Sequence, residues 1–234
     1  MSTHALVGAV GGAGTTRCCL ELGAVLARAG REVAVLDAAY ATQGLADHVP
    51  GRVRTDVTAL CTEDRPLEAA LYDLEVPAGR LAACPARAPF ERLARAKTPE
   101  AAQRFEDHIA EAARAFDHVL VDTPPVAANQ AVAAVTAAER VTVVAPAGPR
   151  GDDGLARAQD RLADLDVAAA TLRTWAEDGG DAAIPASETT DPAAVPTCAA
   201  GDGPFQQGVA AAAASLFGVE FSIDGEGGLL EGLR

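Results

Sequence analysis

The sequence is almost without lysine. Of its 19 basic residues only Lys97 is a lysine and the others are arginines, set against 33 acids for a net charge of −14. A surface this acidic repels nucleic acid and anionic lipid at ordinary salt, which excludes both as default partners. Such a balance suits a protein made in concentrated salt, where screening cuts the reach of charge repulsion to a few ångströms. An arginine bias in a GC-rich coding sequence explains the same count, and the two origins are compatible. Aromatic residues are also scarce, so the core must be built from Ala, Val and Leu. The five cysteines (Cys18, Cys19, Cys61, Cys84, Cys198) form no CxxC pair and no metal-ligand spacing. They read as reduced, buried small hydrophobes of a cytoplasmic protein. No basic-then-apolar leader opens the sequence, so no secretory signal is expected. The apolar run Val209–Phe217 is far too short to span a bilayer.

What is present alternates between strand-like and helix-like segments, the pattern of a doubly wound, mainly parallel α/β sheet with helices on both faces. His4–Val10 reads as a buried strand, followed by a glycine loop and a helix over 16–29 that stops at Gly30. Glu32–Leu36 is a second strand ending at Asp37, and Leu67–Asp73 a short helix. A weaker strand falls at Leu81–Cys84. The apolar spacing of Ala102, Phe105, Ile109 and Ala112 predicts a helix over 99–115. Strands follow at His118–Val121, closed by Asp122, and at Val141–Ala145, then a helix at Leu155–Leu165 and a strand at Ala168–Thr174. Residues 177–203, rich in Asp, Ala, Pro and Gly, read as a long irregular and mobile segment before a closing helix at Gln206–Phe217. One domain over 1–218 and a Gly-rich tail over 219–234 are therefore expected.

The chemistry concentrates at Gly11, Gly12, Ala13, Gly14, Thr15, Thr16 and Arg17, between the first strand and the first helix. Glycines there let backbone N–H groups turn inward around a phosphate, and the helix N-terminus adds its dipole. Thr16 places a hydroxyl where a P-loop needs its Mg²⁺ ligand. Asp37 and Asp122 each end an apolar strand, and an acid so placed beside a P-loop holds Mg²⁺ directly or through water. Each of these residues taken alone is as well explained as a turn; order and spacing together single them out.

These segments resemble the deviant-Walker P-loop ATPases of the MinD/ParA type, including the degenerate TadZ/CpaE relatives. The likeness is clear from residue 3 to about 165. The loop Val10–Arg17 reads VGGAGTTR where the family has KGGVGKTT. Val33–Ala39 is similar to the family's VLLIDxD, 122–125 to its DTPP, and Ala138–Val144 to its ADEVLLV strand. The departures fall on the charges. Val10 stands where the family has its signature lysine, Thr15 where it has the phosphate-binding lysine, and Ala39 at the second acid of DxD. Phosphoryl transfer depends on electrostatic stabilisation, and one lost charge costs ~3 kcal/mol, about a hundredfold in rate. Arg17 is the nearest replacement cation, suited to bidentate phosphate contact.

The resemblance implies ATP or ADP with Mg²⁺ as ligand and a positioning, partitioning or scaffolding role with impaired hydrolysis. Two alternatives stand beside it: an active ATPase using Arg17 or a partner's arginine, and a relic loop that binds another anion or none. A protein partner or homodimer is expected. The basic stretch from Arg80 to Arg104, six cations against Glu91 and Glu100, is the candidate docking face. The Leu-rich C-terminus has one Arg, one Glu and two glycines over 228–234, too little basic charge for a membrane-surface helix. If self-repulsion governs stability, the melting temperature rises steadily from dilute buffer to saturated KCl. A calorimetric melting series checks this, and a salt-independent melt would leave only the coding-bias origin of the arginines.

Overall fold

The computed structural model describes residues 1–63, 65–219, 221–224 and 228–231. In chain order the elements are β1 (Ser2–Gly8), α1 (Thr15–Arg28), β2 (Glu32–Asp37), α2 (Val57–Thr62), β3 (Tyr72–Leu74), β4 (Arg80–Cys84), α3 (Phe90–Ala96), α4 (Pro99–Ala115) and β5 (His118–Thr123). They continue with α5 (Asn129–Ala137), β6 (Arg140–Pro146), α6 (Pro149–Ala163), β7 (Ala170–Thr174), β8 (Ala182–Ile184) and α7 (Pro204–Phe217), and end in β9 (Phe221–Asp224) and β10 (Gly228–Glu231). Strands β1 to β8 form one sheet in the order β3-β4-β2-β5-β1-β6-β7-β8. Only β3 runs antiparallel to its neighbour, as expected of a doubly wound sheet with one reversed edge.

Alternation along each strand divides the core between the two faces. Ala5, Val7, Ala34 and Leu36 face α4, α5 and α6, where Phe105 and Ile109 fill the layer. Leu6, Val33 and Val35 face the other way, onto Leu20, Leu22 and Leu26 of α1 and Val209 and Leu216 of α7. The amphipathic spacing in 99–115 therefore becomes α4 as expected, with Thr98 capping it by accepting from the Ala101 N–H at 3.3 Å.

Several elements differ from the sequence reading. The helix expected at Leu67–Asp73 is one 3₁₀ turn, Leu67–Ala70, because Tyr72 and its neighbours pair with β4 as the edge strand. α6 starts six residues before Leu155, at Pro149, which supplies the fixed φ of a first helical position. Gly151 and Gly154, which precede the helix expected at Leu155–Leu165, let α6 lie against the backbone of Pro146 and Ala9. α2, α3 and α5 were not anticipated: they are short, and none carries a long amphipathic stripe. Residues 177–203 hold β8 and two 3₁₀ turns, Pro192–Ala194 and Thr197–Ala199. This stretch is tied to α1 by the buried Glu21, which accepts from Arg17, Thr197 Oγ1 (3.0 Å) and the Cys198 N–H (2.7 Å). The described parts of the C-terminal stretch pair as the antiparallel strands β9 and β10.

A Cβ on Gly151 would clash with the Pro146 carbonyl oxygen, whereas one on Gly11 meets nothing within 4 Å. Gly151→Ala should therefore destabilise the fold by ~2 kcal/mol or more, in the range of overpacked cores. Gly11→Ala should change stability by less than ~1 kcal/mol. Urea unfolding of the two variants beside wild type measures the contrast.

Candidate nucleotide site

The site lies at the carboxyl ends of the strands, where such sheets place their ligands. β1 ends at Gly8, and the chain turns through 9–14 before α1 begins. Gly12 (φ 77°) and Gly14 (φ 86°) adopt left-handed backbone that side chains disfavour. A Cβ on Gly11, Gly12 or Gly14 would point into open space, so these glycines border a cavity and not a packed wall. Gly14 caps α1 without any side-chain hydrogen bond, which leaves the first-turn N–H groups directed into that space. The loop is held from outside: Thr174 Oγ1 donates to the Ala13 carbonyl and Arg150 to the Gly11 carbonyl, each at 2.9 Å. Neither residue lines the cavity, so both carbonyls are drawn away from it.

The cavity measures about 370 Å³ and is bounded by the loop, by 122–125, and by Ala39, Thr42, Gly44 and His48. Thr16 Oγ1 donates to Asp122 Oδ2 at 2.6 Å, which ties the first turn of α1 to the end of β5. Thr15 also lines the cavity, its hydroxyl 2.8 Å from the position a Cβ on Gly8 would occupy. Val10 contributes only apolar surface.

Asp37 and Asp122 are register partners on β2 and β5. Both are buried, and burial pushes both carboxyls above the usual carboxylate range. For Asp37 the neighbouring Asp122 adds to the rise, and for Asp122 the Thr16 hydrogen bond opposes it. Asp37 does not line the cavity. Its two oxygens accept the Ala39 N–H (2.7 Å) and the Ala86 N–H (3.0 Å), so it braces the strand ends behind the site. The residues that fit a divalent cation are thus Thr16 and Asp122, a hydroxyl and a carboxylate side by side, with a second carboxyl near enough to repel.

Arg17 borders the cavity with its stem, but its guanidinium is engaged elsewhere. It donates to Ser187 Oγ (2.7 Å), the Thr189 carbonyl (2.5 Å) and Glu21 (3.3 Å), and it lies 5.0 Å above the Phe205 ring. Sequence reading placed Gly11 to Thr16 and Asp122 together, as the structure does. It missed Arg150, Thr174 and the wall from Ala39 to His48, which are distant in sequence and carry no motif of their own.

Two buried acids that hold protons more tightly folded than unfolded give a definite pH dependence. The folded state binds more protons above the ordinary carboxylate pKa of ~4, so stability falls as pH rises from there through neutrality. Asp122→Asn keeps an acceptor for Thr16 and removes one of the repelling charges. Its denaturation free energy should lose much of that slope between about pH 5 and 8, relative to wild type.

No curated protein matches the sequence. An AAA-domain family model matches residues 1–166. Among solved structures, MinD in the MinC:MinD cell division complex of Aquifex aeolicus superposes with a TM-score of 0.76, at 17% identity over 96% of this chain and 98% of that one. MinD of Pyrococcus horikoshii OT3 with Mg-ADP gives 0.64, at 18% identity over 78% and 81%. Cobyrinic acid a,c-diamide synthase from Mycobacterium smegmatis, with a bound ATP analog and magnesium, gives 0.61 at 19% over 75% and 73%. With that match over more than half its length and with this sheet order and glycine loop, the chain belongs to the AAA-domain family as a MinD/ParA-type P-loop protein.

Proposed function

We propose that the glycine cradle binds ATP or ADP with Mg²⁺, that hydrolysis is weak or absent, and that the chain acts in the cytoplasm as a positioning, partitioning or scaffolding factor. The observation that carries this reading is the engagement of Arg17. It is the one Lys or Arg among the described residues of the cavity wall, and its guanidinium is already bonded to Glu21, Ser187 and Thr189. With Val10 and Thr15 at the two lysine positions, no fixed cation faces the β and γ phosphates. Thr16 and Asp122 would hold Mg²⁺, which supplies charge neutralisation between phosphate oxygens when bound. The backbone N–H groups of 13–16 and the α1 dipole bind and orient the phosphates. Asp37, walled off by two N–H donors, braces the strand ends behind this site. The relatives of this fold include a MinD bound to MinC and one bound to Mg-ADP, which supports a nucleotide-linked role with protein partners. A docking face for such a partner falls within Arg80 to Arg104. An active ATPase built on Arg17 requires that side chain to leave four contacts, which weighs against that alternative.

Phosphate release in molar salt should stay well below ~1 s⁻¹, the lower end of ordinary enzyme turnover. Calorimetry with Mg-ADP should show modest affinity that Gly14→Val abolishes. Thr15→Lys should tighten binding by about 10- to 100-fold, the worth of one charge-assisted contact of ~1.5–3 kcal/mol. Turnover at or above that threshold would restore the active-ATPase reading. Absence of binding by wild type at millimolar ligand would make the loop a structural relic.

A further inference from the structure

Two charged surface features lie toward opposite edges of the sheet. Toward the β3–β4 edge, Arg52 and Arg87 line a cleft of about 370 Å³ with Ala46, Gly51 and Val53. No acid lines it. Among the described residues neither guanidinium has a hydrogen-bond or ion-pair partner, although Arg80 and Arg92 nearby are both paired with acids. The chain is held at Arg87 and just after Arg52. The Tyr72 hydroxyl accepts from the N–H groups of Arg54 (2.8 Å) and Thr55 (3.1 Å), and the buried Asp56 accepts from the Arg87 N–H (2.8 Å). Three residues beyond Arg87, Phe90 opens α3 with 85% of its surface exposed.

At the β7–β8 edge the connecting turn reads Trp175-Ala-Glu177-Asp178-Gly-Gly-Asp181, with three acids and no cation of its own; the stem of Arg173 packs beside its glycines, with the guanidinium already paired to Asp152. Glu177 and Asp178 are exposed and without ion pairs. Trp175 is 55% exposed and holds a positive φ of 57°, a conformation bulky residues rarely adopt. Its neighbours lock it there, since the Ala147 N–H donates to the Thr174 carbonyl and the Ala176 N–H to the Ile184 carbonyl. A rare backbone state that presents a large aromatic ring to solvent calls for a functional explanation.

The acid-free cleft, with the exposed Phe90 three residues along the chain from Arg87, and the acidic turn with the exposed Trp175 are complementary in charge, and each has an aromatic near it in the chain. They lie at opposite ends of an eight-stranded sheet, so they cannot meet within one chain. We propose that they meet between copies: the 175–181 turn of one molecule docks on the Arg52–Arg87 cleft of the next. Glu177 and Asp178 take the two guanidiniums and Trp175 packs on Phe90. The contact joins different surfaces, so it propagates head to tail and not as a closed two-fold dimer. Trp175 also borders a second cavity with Gly14 and Arg17, next to the glycine loop, so the contact is tested first without nucleotide.

Sedimentation of the full chain without nucleotide tests this. At ~0.15 M salt the weight-average mass should rise at least twofold between low concentration and ~100 µM, and it should fall back toward the monomer at ~1 M salt as screening tightens. Arg52→Glu/Arg87→Glu and Glu177→Lys/Asp178→Lys should each be monomeric alone, with wild-type circular dichroism. Mixed in equal amounts they should associate again, because each carries the complement of the other's changed surface. A wild type that stays monomeric at ~100 µM overturns the proposal. So does association that the variants leave unchanged, or a mixture that stays monomeric.

Discussion

The hydrogen bond from Thr16 to Asp122 joins three things that the fold must bring together: the end of the glycine loop, the first turn of α1 and the carboxyl end of β5. It exists because β1 pairs with β5 on one side and β6 on the other, so that the loop leaving β1 rises directly beside the strand end that carries Asp122. β2 then sets Asp37 in register with Asp122. The constraint is costly, since two carboxyls share a buried place and none of the hydrogen bonds to them among the described residues comes from a Lys or Arg. Asp37 is tolerated through its two backbone N–H donors and Asp122 through Thr16.

A second knot lies one helical turn further along α1. Glu21 is almost fully buried, yet each of its oxygens is satisfied, by Arg17 and Thr197 on one and by Cys198 on the other. The irregular stretch after β8 is thereby fastened to the same helix whose N-terminus forms the cradle. Arg17 belongs to both structures, with its backbone in the first turn of α1 and its guanidinium on Ser187 and Thr189. Its place in the sequence suits a phosphate ligand, whereas its partners make it a clasp.

How far the sequence revealed this depends on the range of the interactions concerned. The central strands, α1 and α4 were legible because their apolar spacing is local and strong, and the glycine loop because left-handed backbone leaves a compositional trace. The short edge strand at Tyr72 and the early start of α6 were not. The first depends on a sheet partner, and the second on Gly151 pressing against Pro146, a contact that looks like loop composition in one dimension. Within the site, Asp122 and Thr16 were read as neighbours. The diversion of Arg17 and the sealing of Asp37 by Ala86 were not, because their partners lie 170 and 49 residues away.

The five cysteines are all unpaired and buried, and burial raises their thiols, Cys18 and Cys61 to about 12. Thiolate is the form that reacts with alkylating agents, and a folded molecule offers almost none of it near neutrality. These sulfurs are distributed over α1, α2, β4 and the turn at Thr197–Ala199, so each becomes reactive only when its own part of the structure opens. Without any engineered label, the chain carries a set of chemical clocks whose separate rates report which layer of the fold loosens first.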